Sequence, residues 1–369
     1  MLRVLSPWFA LGLLLSATSA AAQPLGWEPA RTWVFVVGPL EWKDAETFAA
    51  FPKEGRRDAE LVELLRIRGV PRDQIVYLQD EMATLRAIRA RLSTLLARTR
   101  PGDLLILYYC GHGYKGEKGE GYFASYDSDG AAQGWAMAEI PRALEAGFKG
   151  ERVLLLADAC YSGVLALDVK RLASRLSYAV FTSSSASASS TGNWTFTEAI
   201  LDGLRGSPGV DANGDGAVTL AETATHLIAD MAVGEEQLAT FSATGSFVPS
   251  TRIATALSPS QPRIGERVEA LDEGEWWKAR IVGARPGALK LHWLGIGGYD
   301  DQWIDTSLVR ALRPPLGFPR GAQVEAEWRG TYYPARVLDV KGSVHLVHYE
   351  GYSEEWDEWV SSKRLRSRR

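Results

Sequence analysis

Between Thr32 and Val248 five β-rich runs alternate with segments of helical periodicity, and this alternation constrains the fold more than any other feature. "TWVFVVG" (Thr32–Gly38), "DLLILYYCGHG" (Asp103–Gly113), "RVLLLADACYSG" (Arg152–Gly163) and "YAVFTSSS" (Tyr178–Ser185) are apolar almost without a break. "QIVYLQD" (Gln74–Asp80) is shorter and more polar. A strand apolar at every position is covered on both faces. With helices between such strands, the expected fold is α/β, a mainly parallel sheet with helices on both sides. "RRDAELVELLRIRG" (Arg56–Gly69) has apolar residues at helical spacing and a glycine stop. Thr84 stands where a cap is needed for a helix reaching about Arg98, and "FTEAILDGLRG" (Phe196–Gly206) reads as a further helix.

A chain of 369 residues exceeds one ordinary core, so two or three domains are expected. The first 22 residues carry Arg3, then an apolar stretch, then small residues. They are expected to be a signal peptide, which places the protein in a secreted or periplasmic setting, with an uncleaved anchor as the alternative. No later segment is long and apolar enough to span a bilayer, so no membrane association is expected after cleavage. The net charge of −4 predicts no nucleic-acid partner. Two cysteines, Cys110 and Cys160, exclude a disulfide framework. A Ser/Pro-rich stretch at 255–263 separates an α/β unit (27–254) from a region of short strands and aromatics. That region repeats itself: "GERVEALDEGEWWKARI" begins at Gly265 and "GAQVEAEWRGTYYPARV" at Gly321, and the 56-residue offset persists to Trp303/Trp359. Two copies of one small β module are expected, at 264–314 and 318–367. Trp303 and Trp359 are expected in their cores.

Ligands of open parallel sheets sit beyond the carboxyl ends of the strands. "YYCGHG" and "DACYSG" both place polar, glycine-flanked residues at such ends, so His112 and Cys160 are expected to share one crevice. A thiol beside a base is a nucleophile, and the N–H groups of Gly113 and Cys160 are placed to receive an oxyanion. The plain alternative is a core cysteine and a loop histidine.

These motifs give Thr32 to about Val248 a resemblance to caspase-like and metacaspase-like cysteine peptidases: "GHG" after the third strand, "DACYSG" after the fourth. The histidine precedes the cysteine by 48 residues, against roughly 50 in that family. Cys110 replaces the serine usual before the first glycine of the histidine motif. The resemblance implies Cys160 as nucleophile and His112 as general acid/base, with no cofactor for the chemistry. The position two before the nucleophile is Asp158, where aspartate-specific members carry glutamine. The resemblance to metacaspases therefore implies cleavage after Arg or Lys, with Asp158 facing the basic residue and Asp127 and Asp129 as weaker pocket candidates. A redox pairing of Cys110 with Cys160 is also conceivable, against the plainer reading of Cys110 as a small buried hydrophobe.

"DANGDGAVTLAE" (Asp211–Glu222) matches an EF-hand loop. Asp211, Asn213 and Asp215 stand at positions 1, 3 and 5, Gly216 at 6, the Ala217 carbonyl at 7, Thr219 at 9 and Glu222 at 12. Ca²⁺ is the expected cation, and inherited turn chemistry is the alternative. The repeats resemble Tudor-like or chromo-barrel modules of the Tudor-knot type, which are small SH3-like barrels. Carried over, the aromatic cage is Tyr333, Tyr349, Tyr352 and Trp356. The first copy offers Trp277, Trp293, Ile296 and Asp300 and lacks a complete cage. The barrel ligand is left open, and packing against the α/β unit is the plainer role. The expected function is a secreted cysteine endopeptidase acting on protein or peptide substrates. A silent scaffold and a peptidase acting only on itself are the alternatives.

Overall fold

The structure is a computed structural model that describes residues 26–129, 134–257, 263–296, 300–312, 317–328, 330–341 and 343–368. The expected signal peptide (1–22) and the middle of the expected linker (258–262) lie outside the described residues.

The apolar runs become the sheet they predict. Strands β1 (Thr32–Gly38), β2 (Ile75–Gln79) and β3 (Leu104–Cys110) are followed by a small three-stranded meander of β4 (Gly113–Lys115), β5 (Gly121–Phe123) and β6 (Trp135–Ala136). Then come β7 (Arg152–Asp158), β8 (Ser177–Thr182), β9 (Ala217–Thr219), β10 (Thr240–Ala243) and β11 (Arg252–Thr255). The main sheet has the order β10-β8-β7-β3-β1-β2, parallel except for the antiparallel edge strand β10. The helices are α1 (Arg57–Ile67), α2 (Leu85–Arg98), α3 (Glu139–Gly147), α4 (Gly163–Arg171), α5 (Thr195–Arg205) and α6 (Leu220–Asp230).

Alternate residues of each strand point to opposite faces, and two separate cores result. Val34, Val36, Ile106, Tyr108, Leu154, Leu156 and Phe181 pack on α1, α5 and α6. Phe35, Val37, Leu105, Leu107, Tyr109, Leu155 and Val180 pack on α2, α3 and α4. Local signals set the helix ends: Thr84 Oγ1 accepts the Ala87 N–H at 3.2 Å, and Gly206 closes α5 in the left-handed conformation. The strand β10 and the β4–β6 meander were not anticipated. Both are short and lack an uninterrupted apolar run.

The repeat folds as two five-stranded antiparallel sheets, each around its own small core, in place of the two expected barrels, whose name they keep. The first comprises β12 (Arg267–Asp272), β13 (Glu275–Arg285), β14 (Ala288–Trp293), β15 (Gln302–Asp305) and β16 (Val309–Ala311). The second comprises β17 (Gln323–Trp328), β18 (Thr331–Lys341), β19 (Val344–Tyr349), β20 (Glu358–Ser361) and β21 (Leu365–Ser367). Their cores hold Val, Ala, Leu and Ile with Trp293 in the first and Tyr349 in the second, and not Trp303 or Trp359, which corrects that expectation. Trp303 is 41% exposed under the Arg285 guanidinium, and Trp359 packs outward on a cluster holding Ala232 and Leu238.

Both barrels pack on the α/β unit. Arg280, 3% exposed, bridges Asp202 of α5 and Asp230 of α6, and Arg267 Nε donates to Asp230 at 2.7 Å. His292 lies between Glu198 (3.2 Å) and Asp301 (3.0 Å), whose charges push its pKa up to about 9 despite burial. An ion pair this deeply buried costs desolvation and still holds geometry, because removing one partner strands the other charge.

Candidate functional site

The parallel pairing of β3 with β7 builds the site. Its last register pair is Cys110 with Asp158, so His112 and Cys160 each stand two residues beyond, at neighbouring strand ends. The chains approach so closely there that a Cβ on Gly113 would lie 2.0 Å from the Cys160 carbonyl oxygen. Only glycine fits, which is the physical reason for the second glycine of "GHG". After Cys160 the backbone turns sharply: Tyr161 has φ +57°, rare for a non-glycine residue, and its N–H donates to Ala188 at 2.9 Å. Helix α4 then begins at Gly163.

Cys160 is half-buried and free. The Ser190 N–H donates to its sulfur at 3.0 Å, and the thiol faces the Ser190 carbonyl at 3.5 Å. Burial is the largest influence and raises the thiol pKa. The amides of Ser190, Cys160 and Gly113 oppose that rise. His112 sits in an aromatic box, with ring centroids at 4.5 Å from Trp42, 4.6 Å from Phe51 and 5.6 Å from Phe48. Its Nε2 lies 2.8 Å from the Ala49 carbonyl. A carbonyl only accepts, so Nε2 carries the proton and Nδ1 is the basic nitrogen. Burial lowers the pKa of the imidazole. Both shifts favour the neutral form, of the thiol and of the imidazole. The box and the Ala49 carbonyl had no sequence signal, because nothing in "FAAF" separates this backbone oxygen from others.

Beside these strand ends lies a cavity of about 170 Å³, lined by Leu40, Phe51, Pro52, Glu54, Cys110, Gly111, Asp158, Thr191, Gly192, Asn193 and Trp194. A cavity of about 150 Å³ holds a benzene-sized group. Asp158 is 8% exposed, and its Oδ2 accepts from Thr197 Oγ1 at 2.8 Å. Among the described residues no cation pairs with it, and burial pushes its pKa up to about 7. The nearby Asp58 differs: it is fully buried and bound by Arg56 at 2.7 Å and by the Tyr77 hydroxyl at 2.7 Å.

One expectation needs correction. Asp127 is exposed and is not part of this cavity; its Oδ1 accepts the Leu85 N–H at 2.8 Å, capping α2, and Asp129 is likewise exposed. Cys110 follows the plainer reading: it is a free thiol, 2% exposed in the core on the α1 and α5 face, where burial raises its pKa.

The loop Asp211–Glu222 has a tight, asparagine/aspartate-turned form. Asp211 accepts the N–H groups of Gly214 (2.7 Å) and Gly216 (2.9 Å), Asn213 accepts that of Asp215 (2.8 Å), and Asp215 accepts that of Ala217 (2.9 Å). Glu222 forms a capping box with Thr219 and accepts the Ala212 N–H at 3.2 Å, which brings the two ends of the loop together. The donors are all oxygen, which suits a hard cation. Among the described residues no three His, Cys, Asp or Glu side chains are gathered closely enough to hold a metal.

In the second barrel Tyr333, Tyr349, Tyr352 and Trp356 converge. Tyr333 meets Tyr349 at 6.3 Å and Tyr352 at 6.1 Å, each nearly perpendicular, and Tyr352 meets Trp356 at 6.1 Å. Tyr349 is buried and forms the floor, its hydroxyl donating to Glu358 at 2.7 Å. Tyr352 and Trp356 are about half exposed. Trp328, which the cage expectation lacked, packs on both Trp356 (5.8 Å) and Tyr333 (6.2 Å). Among the described residues the first barrel has no such cluster: Trp293 is buried, Trp277 is exposed, and Gly295 lies against Gly234 of the α/β unit.

The Tudor-knot family, described as an RNA binding activity-knot of a chromodomain, matches residues 318–367. No curated protein matches the chain. Among solved structures, Tbtudor is 27% identical over 15% of this chain and 100% of its own, with a TM-score of 0.14. Protein GSU0716 from Geobacter sulfurreducens is 12% identical over 62% of this chain and 100% of its own, with a TM-score of 0.44. The Arabidopsis thaliana AGDP1 AGD34 structure is 17% identical over 28% of this chain and 80% of its own, with a TM-score of 0.14. The C-terminal module at 318–367 is thus Tudor-like, attached to a unit with a mainly parallel sheet.

Proposed function

We propose that the chain is a cysteine endopeptidase of caspase-like type that cleaves after Arg or Lys. One observation carries the reading: His112 and Cys160 follow adjacent parallel strands beside a cavity whose buried carboxylate, Asp158, pairs with no cation among the described residues. An extended substrate places its basic side chain in the cavity against Asp158. His112 Nδ1 takes the Cys160 proton as the sulfur attacks the scissile carbonyl carbon. The N–H groups of Gly113 and Cys160 receive the oxyanion. The imidazolium then protonates the departing amine and leaves a thioester. His112 Nδ1 next accepts a proton from water, whose oxygen attacks the thioester carbonyl. The carboxylic acid departs and the proton returns to sulfur. The Ala49 carbonyl fixes the tautomer throughout.

Residues 1–22 direct export in this reading. Asp211, Asn213, Asp215, the Ala217 carbonyl, Thr219 and Glu222 hold Ca²⁺, which would order the loop preceding α6. The second barrel binds a cationic or peptide ligand through its cage. The test is a peptide-library digest by the full chain and by Cys160→Ala, with and without Ca²⁺. Cleavage after Arg and Lys by the parent chain only is expected. No cleavage by either removes the peptidase reading, and a cut confined to the chain itself replaces it with self-processing.

A further inference from the structure

The segment after α6 touches three parts of the molecule at once. Met231–Glu235 is a π-helical turn, and Glu236 follows in the left-handed conformation with φ +53°. A non-glycine residue holds that conformation only where its surroundings fix it. Glu235 and Gln237 face the cavity wall. Glu235 accepts from Thr195 Oγ1 and, at 3.2 Å, from Asn193 Nδ2. Gln237, 7% exposed, accepts the Thr191 N–H at 3.1 Å and donates to Ser190 Oγ at 3.0 Å and to the Ser183 carbonyl at 2.8 Å. Ser190 is the residue whose amide meets the Cys160 sulfur.

Glu236, between them, faces the barrels. Ser361 of the second donates to it at 2.8 Å, and Lys278 of the first and Lys363 of the second lie at 3.5 and 3.3 Å. The first barrel also reaches the cavity wall directly, where Asn193 Nδ2 donates to the Gly295 carbonyl at 2.9 Å. Gly295 is the repeat counterpart of Gly351, which borders the cage of the second barrel. The first barrel has turned this edge inward.

We infer that the docked barrels are part of the site itself: through Glu236 and Gly295 they position segment 190–194, and with it the Ser190 amide at the Cys160 sulfur. The inference rests on the peptidase reading for its consequence in turnover, but not for its consequence in thiol chemistry. Glu236 and Gly295 touch neither substrate nor sulfur and are positioning residues.

The experiment uses the full chain with Glu236→Ala, Glu236→Gln and Gly295→Ala. A Cβ at Gly295 would lie 2.4 Å from the Gly234 carbonyl oxygen, so this variant wedges the barrel away. Iodoacetamide labelling of Cys160 is followed by peptide mass spectrometry, alongside kcat and KM. Small displacements near reacting atoms change rates roughly tenfold to a hundredfold. Labelling and kcat are expected to fall by about tenfold in Glu236→Ala and Gly295→Ala, with rescue in Glu236→Gln, whose amide still accepts from Ser361. If Gly295→Ala does not fold, the Glu236 pair carries the test. Labelling rates within about twofold of the parent, or faster, in both disruptive variants overturn the inference. Slower labelling in the variants of a parent that cleaves no peptide keeps the inference and removes the peptidase reading. A cleaving parent with unchanged labelling and kcat in the variants does the reverse.

Discussion

Replacing Asp158 with asparagine is expected to stabilise the fold while weakening cleavage after basic residues. Asp158 is buried in the cavity with hydroxyl partners Thr197 and Ser183, and burial outweighs them and raises its pKa from 3.8 to about 7. Below pH ~4 the carboxyl is protonated in both folded and unfolded chains and contributes nothing. As pH rises from there, the unfolded chain releases its proton first, so stability falls. Above pH ~7 the folded carboxyl also ionises and the loss levels off. At about 1.4 kcal/mol per pH unit between the two pKa values, the opposing contribution is about 4 kcal/mol near pH 8 and about 1–2 kcal/mol near pH 5. Asparagine keeps an acceptor for Thr197 and carries no charge, so Asp158→Asn is expected to gain that difference. Urea unfolding of both proteins from pH ~4.5 to ~8 measures it. With substrate the effect reverses. A guanidinium or ammonium in the cavity supplies the missing partner, and losing a buried charge pair costs about 2–5 kcal/mol. The variant's kcat/KM on Arg and Lys peptides should fall at least about thirtyfold, while any residual cleavage of neutral peptides changes little. A stability difference that does not vary with pH would refute the titration argument. Equal losses on basic and neutral peptides would refute the pocket argument.

Two further outcomes are expected. Calorimetry on chelator-stripped protein should show heat on Ca²⁺ addition that Asp211→Ala removes; no heat from the parent ends the calcium proposal. Trp356→Ala should weaken binding of a trimethyl-lysine peptide by about 0.5–2 kcal/mol, the range for one cation–π partner. Titration of an RNA oligonucleotide in parallel separates the cage from the RNA binding in the family's description. Binding of RNA alone, unaffected by Trp356→Ala, would remove the cage reading.

Much of the fold was legible because it repeats a local signal. Strands apolar at every position, such as "LLILYY", can only be buried on both faces, so the parallel sheet and its two cores followed from periodicity. The two barrels were legible because a 56-residue repeat declares its own unit. That "GHG" and "DACYSG" each follow a strand of the sheet was legible because each glycine-flanked motif ends an apolar run. Relations between distant segments were not. Asp127 and Asp158 are both expected pocket aspartates, yet one caps α2 and the other lies buried with no cation among the described residues. Trp303 and Trp359 repeat faithfully, yet arginine stacking and packing on the α/β unit take them out of the cores. The Ala49 carbonyl, the wall held by Glu235 and Gln237, and the barrels' grip on Glu236 join residues tens to hundreds of positions apart. Sequence determines which side chains need burial and which backbone positions need glycine, because those are local demands. Only the tertiary structure decides which buried charge finds a partner, because that depends on what the folded chain brings to it.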